Sequence, residues 1–358
     1  MAKFALRLEA RPSPSRLMAW LSPVLAVLLT VLCGALLFLA LGHDPLAGLA
    51  VFFVEPLRDA HGWSELGLKV APLLLIAVGL AICFRANIYN IGAEGQLTLG
   101  AICGGAAALY LDDGVGGAAI IGVSLLAGMA GGMAWAGLVA WLRDRYNASE
   151  ILVSLMLVYI AQLLLSYLVY GVLRDPEGFN FPQSKLLSDG LLLPMIVPET
   201  RLHLGIVFAV LASLGGWLYL SRSIAGFRLR VGGMAPAAAR YAGFSSRKTL
   251  WSSLLICGAL SGLAGACEVL GPMGQLTPTV SPGYGFAAII VAFVGRLHPV
   301  GVIFSSFVMA LFYIGGELAQ SRLGLPSAIT GVFQGILLFA LLACDVLIQY
   351  KLRWRKHG

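Results

Sequence analysis

The chain reads as long apolar runs separated by short polar breaks. A helix needs about 20 apolar residues to cross the hydrocarbon core of a bilayer. Ten stretches approach that length: roughly 19–42, 66–84, 94–111, 118–142, 151–173, 203–221, 250–269, 284–295, 299–318 and 328–349. The eighth is short and flanked by glycine, and the second and third are joined by a polar, Gly-containing break in place of a loop. The pattern predicts an all-α, polytopic transmembrane bundle of about ten helices, with residues 19–349 in one membrane domain of the 358-residue chain. The first run, Trp20 to Leu41, follows Lys3, Arg7, Arg11 and Arg16. It is longer than the apolar core of a secretory signal and reads as a first spanning helix.

Composition supports lipid as the solvent. Residues are 59% hydrophobic and only 11% charged, against about 25% charged in soluble domains. Glycine is abundant, at 44 residues, which suits helices that approach closely in a membrane. The six cysteines all lie in apolar stretches without metal or redox spacing, and read as small buried apolar side chains. A formal charge of +7 would suggest nucleic acid in a soluble protein. The distribution of charge argues for membrane lipid and against nucleic acid. With ten spans, 18 of the 24 Lys and Arg residues fall on one side. Asp44, Glu55, Asp59, Glu65, Asp112, Asp113, Asp175, Glu177, Asp189 and Glu199 fall on the other. The excess of cations in cytoplasmic loops then predicts both termini inside. Two polar segments are long: an external one, 174–202, with four prolines, reads as a turn-rich cap, and an internal one, 222–249, carries six basic residues and no acid.

Three segments carry candidate chemistry. The first runs from Phe84 to Gln96 and places Asn87, Asn90, Glu94 and Gln96 at or near membrane depth. Irregular polar backbone is tolerated there only where protein buries it or a water-filled cavity adjoins it. Two readings stay open: a polar cap at a tight reversal, with Asn90 capping the next helix and Glu94 near its positive end, or the lining of a solute path. The second is the internal stretch Gly226–Gly243. Pro236 suits a first helical turn and Gly243 a C-terminal stop, so a helix of under two turns is predicted within 234–243. Such a helix is not stable alone; it docks on its own bundle or on another protein, or else the segment is a basic loop held by anionic lipid. The third is Ser281–Pro299, a short apolar helix between Gly/Pro breaks that includes Tyr284 and Phe286. Interrupted helices mark the pathway in many transporters; a plain tight turn at Arg296–Pro299 is the alternative.

Glu268, Glu317 and Asp345 are further acids at membrane depth, functional candidates by default, although Glu317 and Asp345 lie near helix ends within reach of water. Gln334 is a weaker candidate of the same kind. No phosphate-binding G-x-x-x-x-G-K-[ST] loop, zinc H-E-x-x-H, paired Cys-x-x-Cys or nucleophilic G-x-S-x-G occurs. The five histidines (43, 61, 203, 298 and 357) are scattered at helix ends or in loops. No enzyme constellation is present in the sequence.

Together these segments resemble the permease subunits of bacterial ABC importers of the branched-chain amino acid and simple-sugar group, nucleoside-type subgroup. Asn90-Ile-Gly-Ala-Glu94-Gly95-Gln96 is similar to a stretch of that subgroup, as are Ser281-Pro-Gly-Tyr-Gly-Phe286 and Gly295-Arg-Leu-His-Pro299. The internal segment resembles the family's coupling sequence, with Ala235 where the family has Asn and Val231-Gly232 where it has Ala-Val. The likeness covers about 65–345. It implies a multi-pass protein of the bacterial inner membrane that binds no cofactor itself. A cytoplasmic ATP-binding subunit would hold ATP and Mg and grip the chain through Arg230, Met234, Pro236, Arg240, Tyr241 and Gly243. A second permease subunit, the same or related, would complete the pore, and an external solute-binding protein would deliver a nucleoside, purine or simple sugar. Asn87, Asn90, Glu94, Gln96, Glu268, Tyr284 and Phe286 are the expected path lining. The rival reading is an ion-coupled secondary transporter in which Glu94 or Glu268 carries the ion.

Overall fold

The computed structural model describes residues 4–11, 13, 15–112, 117–178 and 181–356; Lys3, Asp113 and His357 lie outside them. In chain order the elements are β1 (Phe4–Ala10), α1 (Arg16–Ala40), α2 (Pro45–Leu49), α3 (Ala60–Arg85), α4 (Ala93–Leu111), α5 (Gly117–Tyr146) and α6 (Glu150–Tyr170). They continue with α7 (Gly205–Arg222), α8 (Ile224–Met234), α9 (Pro236–Tyr241), α10 (Ser246–Glu268), α11 (Tyr284–Val294), α12 (Pro299–Leu323), α13 (Ile329–Gln349) and β2 (Tyr350–Lys356).

Every one of the ten predicted runs is a helix. Among the described residues eight are long and apolar enough to cross a membrane: α1, α3, α5, α6, α7, α10, α12 and α13. The chain is therefore a multi-pass helical membrane protein. The two others depart for visible reasons. α4 opens on Glu94 and Gln96 and is rich in glycine, and α11 has only 11 residues. Three elements were not expected. α8 forms because Ser223 caps it, its hydroxyl accepting the Gly226 N–H at 2.9 Å. α2 forms in the same way, behind Asp44 and Pro45. The third is a short antiparallel pair, β1–β2, at the ends of an otherwise all-α fold.

The described residues fall into two compact units. One comprises residues 1–59 and 311–358. In it α1 packs along α13, and Phe38, Phe52, Phe312 and Phe333 form an aromatic cluster, Phe52 stacking on Phe333 with centroids 4.2 Å apart. Gly34 makes room for the Phe333 ring. Two polar pairs lie here: the Ser22 hydroxyl donates to Asp345 at 2.7 Å, and Arg322 meets Glu55 at 2.8 Å.

The other unit is residues 60–310. α3 is its central helix, 83% of its most apolar window being buried, against 22% for the peripheral α5 and α6. Beside it α10 packs, and α10 meets α4 and α5 through glycines spaced four apart: Gly100 and Gly104, Gly128 and Gly132, Gly258 and Gly262. A Cβ on Gly132 would strike the Gly258 carbonyl oxygen, and one on Gly262 the Gly128 carbonyl oxygen. Without a hydrophobic driving force between helices in lipid, such close backbone contact supplies the packing. The predicted external cap is held to the chain that follows α10. Ser184 N–H donates to Leu276 O at 2.9 Å, Leu187 N–H to Gly274 O at 2.8 Å and Leu193 N–H to Leu270 O at 2.7 Å. Arg201 clasps Glu65 on α3 with two bonds, at 3.1 and 2.5 Å.

Candidate functional site

The site begins where α3 stops. Asn87 takes a left-handed conformation at φ 58°, which asparagine tolerates better than most residues. The chain reverses and re-enters the protein. Asn90 is fully buried, and its carboxamide pairs with that of Gln96: Asn90 Nδ2 donates to Gln96 Oε1 at 3.2 Å and Gln96 Nε2 to Asn90 Oδ1 at 3.3 Å. The same Oδ1 accepts the Gly92 N–H at 3.0 Å, and Nδ2 also reaches Cys257 Sγ on α10 at 3.2 Å. Ser154 of α6 accepts the Ile91 N–H at 3.1 Å. The reversal is thus closed by side chains from three helices, and the carboxamides of Asn90 and Gln96 are paired inside protein.

Glu94 has a second duty. It lies in the first turn of α4, 2% exposed, and its Oε2 accepts the N–H of Gly285 at 2.6 Å. Gly285 is in the first turn of α11, whose opening N–H groups have no partner within the helix. The Ser281 hydroxyl takes two more of them, from Gly283 at 3.2 Å and Tyr284 at 3.1 Å. Gly285 must be glycine because a Cβ there would meet the Glu94 backbone. One carboxyl group therefore sits at the positive ends of two helices and ties the interrupted α11 to the α3–α4 reversal. Gly283, at φ 91°, allows the sharp entry into α11.

Next to this clamp lies a charged cluster. Lys69 of α3 has its ammonium 5.8 Å from the centroid of the Tyr284 ring, and Glu268 at the end of α10 is its electrostatic partner. Tyr284 and Glu268 are buried, and Phe286, two residues after Tyr284, is half exposed. Of the residues expected to line a path, the structure brings Asn90, Glu94, Gln96, Tyr284, Phe286 and Glu268 into one region around α3, α4, α10 and α11. It separates Asn87, which is exposed and faces the internal segment. Lys69 was not singled out from the sequence, where it looks like one more charge at the start of a span. His203, just before α7, was counted among scattered histidines. It is buried, its Nδ1 accepts the Gly205 N–H at 3.0 Å, and its Nε2 has no partner. Burial lowers its pKa to about 4.

The internal segment forms a second feature. α8 tucks against the end of α3, where Gly233 leaves no room for a Cβ beside the Arg85 carbonyl. α9 has no side-chain N-cap, because Ala235 occupies that position. It is held instead by a chain of bonds to its neighbours, including Phe244 N–H to Ala239 O at 2.9 Å. Beneath it is a cavity of about 410 Å³, lined among others by Asn87, Arg143, Asp144, Arg240 and Arg247. Asp144 accepts from Arg247 at 2.7 Å and from the Trp251 indole at 3.1 Å. On the outer side of the segment Tyr241 is 97% exposed and Met234 86%; Pro236 and Arg240 are exposed too, and Arg230, on α8, is half-buried.

The family described as "Branched-chain amino acid transport system / permease component" matches residues 64–342. The glucose ABC transporter permease protein TsgB13 of Haloferax volcanii is 33% identical over 97% of this chain and 93% of its own length. The guanosine ABC transporter permease protein NupP of Bacillus subtilis is 32% identical over 90% of this chain and 93% of its own. The nucleoside ABC transporter permease protein NupB of Lactococcus lactis subsp. cremoris is 26% identical over 89% of each. No solved structure matches the chain. The matched residues span both the clamped reversal at 84–96 and the segment with the bare α9, and the chain belongs to the branched-chain amino acid transport system permease family.

Proposed function

We propose that this chain is the membrane-spanning subunit of an ATP-binding-cassette importer of the inner membrane, carrying a small polyhydroxylated solute, a nucleoside or simple sugar. The names of the relatives support that solute class, since glucose, guanosine and other nucleosides share a hydroxylated ring. Both termini and α8–α9 face the cytoplasm in this reading, in line with the skew of Lys and Arg. An ATPase subunit, which binds ATP and Mg, grips α9; a second permease subunit completes the pore; an external binding protein delivers solute.

The observation that carries the reading is the exposure of Tyr241 and Met234. A six-residue helix whose Tyr241 stands in solvent, next to an exposed Met234 at the end of α8, gains little from its own bundle. It has the form of a docking element whose partner is another chain. When the partner moves, α9 moves α8 and, through Gly233, the end of α3. From there the displacement reaches the reversal and, through Glu94, α11. Tyr284, Phe286, Lys69 and Glu268 stand where α11 would open, and they are the path lining of this proposal, with the Asn90–Gln96 pair as its frame.

The test is import by the assembled transporter carrying Arg240→Glu and Tyr241→Asp together. Import should fall at least tenfold while the variant chain folds normally. Import at the unaltered rate sinks the coupling role. Uptake driven by a proton gradient without ATP would instead favour the ion-coupled carrier. Calorimetry of the cognate binding protein with nucleosides and sugars decides the substrate.

A further inference from the structure

Cations gather without acids where α8 meets the end of α3. Gly226, Leu229, Arg230 and Gly233 fall at helical spacing on one face of α8. Gly226 and Leu229 are buried, and a Cβ on Gly233 would meet the Arg85 carbonyl oxygen. Arg230, three residues before Gly233, shares the face turned to Arg85, and the two guanidinium groups are near enough to feel each other's charge. The Arg230 Nε is buried and has no partner. Arg85 spends its own Nε on the Leu297 carbonyl oxygen, at 2.7 Å. That bond brings in His298, the next residue, which also feels the Arg85 charge. Burial, and then that charge, lower the His298 pKa and favour a neutral ring. Its Nδ1 accepts the Val300 N–H at 3.3 Å, so the neutral ring carries its proton on Nε2.

The groups that ordinarily receive such donors are occupied. At the end of α3 the Cys83 oxygen accepts the Ile88 N–H and the Phe84 oxygen the Asn87 N–H, each at 3.0 Å. At the end of α8 the Val231 oxygen accepts the Ala235 N–H at 2.9 Å. Two acids near the internal segment are committed elsewhere, Asp144 to Arg247 and Glu150 to Arg143. Among the described residues neither Arg85 nor Arg230 has an ion pair. Two guanidinium groups held near each other without a counter-ion repel, and partial burial adds to the cost. An anion between them relieves both penalties.

The donors specify its chemistry. A guanidinium presents a planar fork that matches phosphate oxygens. Arg230 offers its whole fork, Arg85 its two terminal nitrogens and His298 one further N–H. We propose that Arg85, Arg230 and His298 form a binding site for a phosphate group, bridging α3, α8 and the turn before α12. α3 is a membrane span by length and apolarity, and Arg85 is its last residue. The site therefore stands at headgroup level, where the phosphate comes from an anionic phospholipid or from a soluble phosphate. Once bound, it pins α8 to α3, the joint through which α9 moves the reversal. That consequence rests on the proposed function; the binding does not.

The test uses the full chain, purified in detergent and stripped of lipid. Phosphatidylglycerol, phosphatidylcholine and inorganic phosphate are added separately. Native mass spectrometry and thermal unfolding read the binding. One equivalent of phosphatidylglycerol or of inorganic phosphate should be retained and should raise the melting temperature, with phosphatidylcholine about tenfold weaker. Retention of phosphatidylglycerol alone assigns the lipid headgroup, and retention of inorganic phosphate assigns a soluble source; either supports the site. Arg230→Gln should weaken binding about tenfold, and Arg230→Lys, which keeps the charge, should weaken it less. Lys248→Gln removes an exposed cation of the same internal segment and should change nothing. Hydrogen exchange at 228–235 should slow on binding in the native chain and not in Arg230→Gln. Without ligand, Arg230→Gln should melt no lower than the native chain, because Arg230 has no bond to lose. A lower melting point there gives Arg230 a structural partner and overturns the proposal. So does a native chain that retains neither anion, binding that survives Arg230→Gln, or an equal loss in Lys248→Gln.

Discussion

The clamp at Glu94 gives a prediction that can be worked through in numbers. Glu94→Ala removes the acceptor of the Gly285 N–H, seen at 2.6 Å, and leaves that N–H buried. Orphaning one buried partner of a hydrogen bond costs about 1–3 kcal/mol. The one methylene withdrawn from a buried position, Cγ, adds about 0.8 kcal/mol. Global stability should therefore fall by about 2–4 kcal/mol. The hydrogen-bond share, about 2 kcal/mol, acts on the start of α11 alone and should raise local opening there roughly thirtyfold. Glu94→Gln keeps a carbonyl oxygen at the same reach and should lose about half as much. Hydrogen exchange followed on a peptide covering 281–290 reads the local effect, and detergent unfolding reads the global one. Exchange at 283–287 that is unchanged in Glu94→Ala refutes the clamp. So does a Gln variant as damaged as the Ala variant, because the acceptor would then not be what matters.

Other expectations follow from the packing. Gly132→Ala should destabilise by about 1–3 kcal/mol, because its Cβ meets backbone that cannot yield. Gly122→Ala, on the same helix with open space around it, should stabilise by up to about 1 kcal/mol; thermal unfolding of both in detergent tests the opposite signs. Asn90→Leu and Gln96→Leu should each destabilise, while the double variant loses about 1–2 kcal/mol less than their sum, as a double-mutant cycle would measure. For His203, burial lowers the folded pKa to about 4 from an ordinary value near 6.5. The unfolded chain then binds the proton more readily, so stability is complete above about pH 6.5 and falls by at most about 3 kcal/mol as pH drops toward 4. His203→Gln should flatten that part of the pH profile, and an unchanged slope would show that another group governs it.

Apolar runs of spanning length fixed the helices, because a lipid-facing backbone has no other way to satisfy its N–H and C=O groups. Polar residues that lipid does not tolerate marked the reversal at 84–96, and Gly/Pro breaks marked the short helix within 281–299. Pro236 and Gly243 bounded α9. What could not be read was who meets whom. Glu94 and Gly285 are 191 positions apart, and no periodicity along one segment reveals a bond between two. Lys69 looked like a charge at the edge of a span until α10 and α11 brought Glu268 and Tyr284 to it. Three glycine pairs on α4, α5 and α10 became a close-packed core only once those helices crossed. The β ribbon escaped notice for a related reason: each strand is seven residues long, and neither has structure without the other. Local composition decides which segments enter the membrane, because that choice depends on each segment's own contact with lipid. The site and its couplings depend on long-range contacts, and tertiary structure alone decides those.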